Sequence, residues 1–174
     1  MRYMRERRAE LGGAFRAPRP VSGLACAPRS AFGGQLKTSG KRQISTTMAF
    51  VRILSTLLKD KHFGDRVVPI VPDEARTFGM EGMFRQMGIY SSVGQRYTPH
   101  DSGGILYYKE AETGQILEEG INEAGAFAAW LAAATSYSVS DFPMVPFYIF
   151  YSMFGFQRIG DLAWAAGDSQ ARGF

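Results

Sequence analysis

The sequence contains few of the side chains that bind metal ions or cross-link a fold. Its 174 residues include one cysteine and two histidines. Cys26 has no second cysteine in the chain, which excludes a secreted disulfide scaffold and fits a reducing compartment. His62 and His100 stand in polar stretches, where we expect surface positions, and no Cys/His pattern has the spacing of a metal site. The sequence therefore predicts no metal ligands in this chain.

Long apolar runs and phosphate-binding loops are also lacking. No apolar run reaches the roughly 18 residues that a membrane-spanning helix needs, and the segment A-F-A-A-W-L-A-A-A is too short and has polar flanks. No Gly-rich loop follows a predicted strand, so Gly103-Gly104 indicates a turn rather than a phosphate site. We therefore expect no membrane span and no phosphate-binding loop.

Positive charge is concentrated near the start of the chain. Residues 1–42 hold ten Lys or Arg against two acids, a net charge of +8, whereas residues 43–174 hold ten against fourteen, a net charge of −4. The basic character thus belongs to the first stretch alone. Because the larger part is mildly acidic, nucleic acid is not expected to be the main partner.

The first 43 residues have the composition of a linker. M-R-Y-M-R-E-R-R-A-E-L predicts a short helix that stops at Gly12-Gly13, and a Pro-rich segment without hydrophobic period follows. We interpret residues 1–43 as a basic, Pro-rich linker with a short N-terminal helix. An Arg-rich, acid-poor stretch is also typical of an organellar transit peptide, which is the alternative interpretation.

Helical and strand patterns follow the linker. S-T-T-M-A-F-V-R-I-L-S-T-L-L predicts a helix with Ser45 or Thr46 as its cap. R-V-V-P-I-V-P-D predicts a buried parallel strand, although Pro69 and Pro72 each remove a ladder donor. Residues 81–90 indicate a short helix or an irregular segment, and a loop follows them.

The second half of the chain continues the alternation. I-L-Y-Y-K-E is a strand candidate, and the turn E-T-G connects it to Q-I-L-E-E-G. The segment from Glu123 to Thr135 is predicted to be a helix with small apolar residues on every face, which predicts burial on all sides. M-V-P-F-Y-I-F-Y predicts a core strand, and the last helix turns three residues inward: Ile159, Leu162 and Ala166. The order predicts an α/β fold with a parallel sheet flanked by helices. The chain stops at A-R-G-F without a cap, so we expect it to be truncated at its C-terminal side.

Glu123 stands at the mouth of the alanine-rich segment. One interpretation is a first-turn glutamate that the helix macrodipole stabilises by roughly 0.3–1 kcal/mol. The other is a carboxyl in an apolar pocket, where desolvation raises its pKa and keeps a proton available. Asp73 and Glu74 follow a predicted strand, where α/β sheets bind ligands, or they pair with arginines such as Arg76 and Arg158.

Several segments together resemble one family of enzymes. G-I-N-E at 120–123 is similar to the glycine–aliphatic–x–glutamate signature of transketolase-type thiamine diphosphate enzymes. V-V-P-I-V-P-D-E-A-R-T-F-G-M-E-G-M-F-R-Q, G-Q-I-L-E-E-G-I-N-E and P-F-Y-I-F-Y-S-M-F-G-F-Q-R-I-G-D-L-A-W-A-A-G-D resemble the homodimeric first component of bacterial pyruvate dehydrogenase complexes. The resemblance runs through the whole chain and favours a linker over a transit peptide at residues 1–43.

The resemblance implies a transketolase-like pyrimidine-binding domain, incomplete, at residues 44–174. Glu123 would be its catalytic residue, because a protonated carboxyl on the ring nitrogen of thiamine diphosphate favours the reactive imino tautomer. Ile121, Tyr151 and Phe154 would contact the same ring, Tyr151 and Phe154 being core aromatics in the alternative interpretation. Asp73 and Glu74 would line the channel for the substrate.

The resemblance also implies an activity and its partners. The family decarboxylates pyruvate oxidatively and passes the acetyl group to lipoyl groups of the dihydrolipoyl acetyltransferase component, as a homodimer in the bacterial cytoplasm. Its G-D-G motif, which holds the diphosphate and Mg²⁺, does not occur here, so the Mg²⁺ ligands would lie outside this chain and the chain alone would be inactive. The alternative function is a non-catalytic pyrimidine-domain module that pairs with a complete subunit.

Overall fold

Three parallel strands form the main sheet of the chain. The computed structural model describes residues 2–10, 24–73 and 75–174. The strands of the main sheet lie in the order β4–β1–β5, where β1 is Val67–Val71, β4 is Leu117–Glu118 and β5 is Val145–Tyr148. Both pairings are parallel, and helices pack on the sheet. The predicted α/β fold with a parallel, helix-flanked sheet is therefore confirmed.

The central strand β1 is buried along its whole length, as the uncharged sequence V-V-P-I-V predicts. Pro69 is accommodated by its position in the ladder. The carbonyl of Ile70 accepts from the amide of Ile149 on the β5 side, and the carbonyl of Val71 accepts from the amide of Glu119 on the β4 side. Because successive residues of a strand face opposite neighbours, the nitrogen of Pro69, which has no hydrogen to donate, faces β4. The pairs with β4 begin at Ile70, one residue later, so the missing donor falls where that ladder starts.

A second sheet has two strands, and it shows that the predicted strand at residues 105–110 is wrong over most of its length. Residues 105–109 do not form the expected strand, and β3 (Glu110–Ala111) pairs in parallel with β2 (Ile89–Tyr90) rather than with the Q-I-L-E-E-G segment. Ile116 forms a parallel bridge to Ile89 as well. The E-T-G turn therefore carries the chain from one side of β2 to the other, and Gly114 passes so close to Ile89 that a Cβ atom would lie 2.4 Å from its backbone.

The helix α3 (Thr46–Leu58) follows its sequence signals. Ser45 caps it by accepting a hydrogen bond from the amide of Met48 at 3.2 Å, which confirms one of the two expected caps. Its buried side chains, Val51, Leu54 and Leu58, pack into the main core with residues of β1 and α4 (Glu81–Met87). The short helix expected within residues 81–90 is thus confirmed over its first seven residues.

The helix α5 (Glu123–Val139) extends four residues beyond the predicted end and corrects a second prediction. It packs on the sheet and on α6 (Gly155–Asp168), which itself turns Ile159 and Ala166 inward and half-buries Leu162, as predicted. The opposite line of α5, which consists of Ala124, Ala128 and Ala132, is exposed. Burial on all sides is therefore wrong for this chain, because the sheet and α6 contact only one side of the helix.

The first residues carry short helices. The predicted N-terminal helix is confirmed as α1 (Arg2–Glu10), which buries none of its side chains. A 3₁₀ turn at Arg29–Phe32 leads into α2 (Gly33–Leu36), and Leu24 packs against the main core. Gly12-Gly13 lie outside the described residues.

The two histidines are exposed, as predicted.

Of the helices within the described ranges, none combines the length and hydrophobicity needed to cross a bilayer.

Ser136 joins α5 to the chain that enters β5. Its buried hydroxyl lies 2.7 Å from the carbonyl oxygens of both Phe142 and Ala133, either of which can accept its single proton, and it accepts from the amide of Met144 at 3.3 Å. We expect Ser136→Ala to lower the free energy of unfolding by about 1–3 kcal/mol, because two backbone groups lose a buried partner. Urea denaturation measures this. Ser138→Ala on the same helix is the control, and an equal loss in both variants would contradict the assignment.

Candidate functional site

A cavity of about 350 Å³ opens where the three strands of the main sheet end. Pro72 and Asp73 follow β1, Ile121 follows β4, and Phe150 with Tyr151 follows β5. Because parallel strands deliver their carboxyl ends to one edge, residues far apart in sequence meet there. Among the described residues, the lining comprises Pro72, Asp73, Phe78, Ile121, Glu123, Phe150, Tyr151, Phe154 and Arg158.

The segment G-I-N-E builds one wall through its backbone. Gly120 has φ +76°, a conformation that favours glycine. Asn122 then caps α5, since its side-chain oxygen accepts from the amide of Gly125 at 3.0 Å. Gly125 itself lies so near Asn122 that a Cβ atom would be 2.4 Å from the side-chain nitrogen. These constraints place Ile121 at 81% exposure on the rim and Glu123 in the first turn of the helix.

Glu123 forms an ion pair with Arg158 from α6. The guanidinium Nη1 donates to Glu123 Oε1 at 2.5 Å, and the carboxylate side chain is 12% exposed. The hydrogen bond from Arg158 lowers the pKa of Glu123 below its ordinary value and outweighs the opposing effect of burial. The expectation of a raised pKa is therefore wrong for this arrangement, because a cation lies where the sequence indicated only apolar neighbours.

Aromatic rings form the opposite wall. Tyr151 lies against Phe78 with ring centroids 4.9 Å apart and forms a hydrogen bond with Thr77. Phe154 lies under the guanidinium of Arg158, 4.8 Å from ring centroid to the carbon of the group. Tyr151 and Phe154 are 41% and 44% exposed, so their interpretation as core aromatics is wrong.

Phe150 lies in close contact with the start of α6. A Cβ atom at Gly155 would lie 1.9 Å from the Phe150 ring, so only glycine allows this approach of strand and helix. Phe150 also stacks on Tyr148, with ring centroids 5.0 Å apart. Burial, with a smaller effect of Glu123, raises the pKa of Tyr148 to about 12, so its hydroxyl keeps its proton at neutral pH. The hydroxyl lies 3.4 Å from the backbone carbonyl of Glu123.

Of the two acidic residues after β1, the structure describes Asp73. Asp73 lines the cavity, and Glu74 lies outside the described residues. In the described part of the chain, Arg76 contacts Asp101 and Arg158 contacts Glu123, so the alternative that pairs Asp73 with either arginine is wrong.

Two further residues position this site. Glu118 at the end of β4 accepts from the amide of Ala75 at 3.1 Å and so ties β4 to the turn that carries Asp73. Burial raises the pKa of Glu118, and the neighbouring Asp73 adds to the effect. Sequence reasoning assigned no role to Glu118. The sequence also did not indicate that Arg158 pairs with Glu123, because the spacing of four residues between Phe154 and Arg158 predicts only the contact of these two with each other.

The geometry defines the chemistry that the site can perform. Most of the lining is apolar or aromatic, and its charged side chains are Asp73, Glu123 and Arg158. Such a cavity suits a flat heteroaromatic ring that stacks on the aromatic side chains and has a nitrogen in contact with a carboxyl. Within the described ranges, no group of three or more His, Cys, Asp or Glu side chains could hold a metal ion. The site thus fits an aromatic ring, and no metal-binding cluster accompanies it among the described residues.

The cap at Asn122 should determine where the Glu123 carboxylate lies. We expect Asn122→Ala to lower the free energy of unfolding by about 1 kcal/mol, because the amide of Gly125 loses its acceptor. Asn122→Asp keeps an acceptor and should cost little. Urea denaturation of both variants measures the effect, and equal stabilities of the Ala and Asp variants would contradict the cap.

The ion pair should be visible in the titration of Glu123. A lowered pKa means that the pair stabilises the fold fully above the ordinary carboxyl pKa, and that this contribution disappears as pH falls through the lowered value. Arg158→Met should return the pKa of Glu123 toward its ordinary value, as measured by carbon NMR of the side-chain carboxyl. The control is Arg172→Met, because Arg172 stacks on Tyr137 at 4.1 Å, outside the cavity lining. An unchanged pKa in Arg158→Met would contradict the pair.

The chain is similar to a set of proteins with one shared name. The family described as pyruvate dehydrogenase E1 component, middle domain, matches residues 27–174. The relative from Pseudomonas aeruginosa, named pyruvate dehydrogenase E1 component, is 65% identical over 174 residues, which cover 99% of this chain and 20% of the relative.

Two other relatives carry the same name. They come from Cupriavidus necator and Escherichia coli (strain K12), and both are 60% identical. The two matches cover 100% and 99% of this chain, respectively, and 20% of the length of each relative. The chain spans about a fifth of the length of these curated relatives. It belongs to the family of pyruvate dehydrogenase E1 component middle domains.

Proposed function

We propose that this chain supplies the pyrimidine side of a thiamine diphosphate site in a pyruvate dehydrogenase (acetyl-transferring). The observation that carries the proposal is that one cavity gathers Glu123, Ile121, Tyr151 and Phe154, the residues that the family resemblance assigns to the ring of the cofactor. Family membership supports the assignment independently of the geometry. Residues 44–174 would form the pyrimidine-binding unit and residues 1–43 a linker.

Each side chain has a role that its position supports. Bound thiamine diphosphate would supply a thiazolium carbon that attacks the carbonyl of the substrate. Glu123 would share a proton with the ring nitrogen of the aminopyrimidine, which requires the bound ring to offset the lowering of the carboxyl pKa by Arg158. Tyr151 and Phe154 would contact the ring faces, and Ile121 would shield it from water on the exposed rim. Asp73, with Glu74, would line the path of the substrate.

The activity of the whole protein is part of the proposal. The substrate would be pyruvate, and the acetyl unit would pass to lipoyl groups of the dihydrolipoyl acetyltransferase component in the bacterial cytoplasm. The name of the relatives, pyruvate dehydrogenase E1 component, supports pyruvate as the substrate. The lipoyl acceptor and the location rest on the family resemblance alone. Ligands for Mg²⁺ would come from outside this chain, since the G-D-G motif does not occur in it.

A homodimer is also part of the proposal. The exposed line of Ala124, Ala128 and Ala132 on α5 lies next to the exposed Ile121. Small side chains allow a second subunit to approach the helix closely and to cover the rim of the cavity. The same exposed line would serve the alternative, a non-catalytic module that pairs with a complete subunit, so activity decides between the two functions.

The test uses a chimera of the Pseudomonas aeruginosa relative, in which this chain replaces the aligned 174 residues. We expect the chimera, supplied with thiamine diphosphate and Mg²⁺, to decarboxylate pyruvate. Glu123→Gln should lower kcat by about 100-fold or more, because an amide has no acidic proton to place on the ring.

The matched control is Glu112→Gln, which changes an exposed glutamate in a turn. It should leave the rate unchanged. An inactive chimera, or full activity of the Glu123→Gln variant, would overturn the proposal and favour the non-catalytic module.

A further inference from the structure

The carboxyl of Glu118 ties the turn that carries Asp73 to the end of a neighbouring strand. Glu118 is the last residue of β4 and pairs with Val71, the last residue of β1. Its Oε1 accepts a hydrogen bond from the amide of Ala75 at 3.1 Å. Pro72 and Asp73 lie between Val71 and Ala75, and both line the cavity. One side-chain contact therefore holds the far end of the segment that forms this part of the cavity wall.

The other oxygen of the same carboxyl has no partner. Glu118 Oε2 is buried, and no described residue forms a hydrogen bond with it. An ionised carboxylate only accepts hydrogen bonds, whereas a protonated carboxyl has one O–H group of its own. A buried negative charge that lacks donors is costly, so this environment favours the protonated form.

The charged groups around Glu118 give little support to its ionised form. The carboxylates of Asp73 and Glu110 repel a negative charge at this position, and the cation that opposes them is Arg76. Arg76 forms an ion pair with Asp101, so part of its charge is already compensated by another carboxylate. The electrostatics thus act in the same direction as the unpartnered oxygen.

Two tyrosines, Tyr97 and Tyr108, face Glu118 as well. Burial raises the pKa of each phenol, and Glu118 adds to the effect. Both phenols therefore keep their protons at neutral pH and bring no charge. Burial also raises the pKa of Glu118 itself and outweighs the hydrogen bond from Ala75, which acts in the opposite direction.

We propose that Glu118 is a positioning residue that works in its protonated form: the neutral carboxyl holds the turn that carries Asp73 at the cavity, and loss of the proton releases this turn. Its importance for the reaction rests on the proposed function, in which Asp73 lines the path of the substrate. A proton on Oε2 leaves Oε1 free to accept from the amide of Ala75 and adds no negative charge beside Asp73.

A second cavity gives an ionised side chain room to move. This cavity of about 380 Å³ lies beside β4, and its lining includes Glu118, Glu110 and the exposed residues Ser92 and Glu119, so it opens to solvent. A carboxylate that turns into this space becomes hydrated and moves away from Asp73. The amide of Ala75 then loses its acceptor, and the turn loses its contact with β4.

The first experiment measures the turn in the 174-residue chain at pH 7. Hydrogen exchange with mass spectrometry reports on the peptide that contains the amide of Ala75. We expect Glu118→Ala to accelerate this exchange at least about tenfold, because the acceptor is gone. Glu118→Gln keeps an acceptor and should protect the amide at least as well as the wild type. Glu119→Gln changes the exposed neighbour and should have no effect.

The second experiment tests the protonated form through the pH dependence of stability. A raised pKa means that Glu118 stabilises the fold fully below the ordinary carboxyl pKa, and that this contribution is lost as pH rises through the raised value. Urea denaturation should therefore show that the wild type loses stability relative to Glu118→Gln over this interval. Glu119→Gln should keep the pH dependence of the wild type.

The third experiment tests the role in the reaction with the chimera described above, supplied with thiamine diphosphate and Mg²⁺. We expect Glu118→Ala to raise the KM for pyruvate at least about fivefold and to lower kcat less, because the turn carries Asp73 and not Glu123. Glu118→Gln should restore the KM and remove the rise of KM with pH that the wild type shows.

Three outcomes would overturn the inference. Equal exchange of the Ala75 amide in Glu118→Ala and the wild type would exclude positioning. The same pH dependence of stability in Glu118→Gln and the wild type would exclude the protonated form, and this comparison decides even if Glu118→Ala does not fold. An unchanged KM in Glu118→Ala would exclude a role in the reaction. Failure of the proposed function looks different, since the chimera would be inactive while exchange and stability of the 174-residue chain follow the expected pattern.

Discussion

The common direction of β4, β1 and β5 is the constraint on which the rest of the structure depends. Each strand ends at the same edge, and the chain that leaves each strand contributes a wall of the cavity. An antiparallel neighbour would have placed one of these walls at the opposite edge. The buried, uncharged β1 makes this arrangement possible, because both of its ladders lie in the interior and need no polar side chains.

Local backbone geometry converts that edge into a site. Gly120 turns the chain sharply after β4, and Asn122 begins α5 at once, so that Glu123 occupies the first turn of the helix. Gly155 performs a similar function after β5, where α6 begins against the ring of Phe150. The four-residue segment therefore fixes the position of one carboxyl, through the backbone conformation of Gly120 and the helix cap of Asn122.

The ion pair between Glu123 and Arg158 links the electrostatics of the site to its chemistry. In this structure the carboxyl is ionised more readily than usual, whereas a role in holding a proton requires the opposite. The pKa of this carboxyl is therefore set by a cation from another helix as well as by burial, and the two effects act in opposite directions.

Sequence by itself determined the elements whose signals are local. The cap at Ser45, the buried strand β1 and the two long helices follow from spacing and composition over a few residues. Tertiary structure alone decided which neighbour a two-residue strand takes, since so short a segment carries no register signal and β3 pairs with β2. It also decided that Arg158 meets Glu123 across 35 residues, because a contact at that separation depends on how α5 and α6 pack.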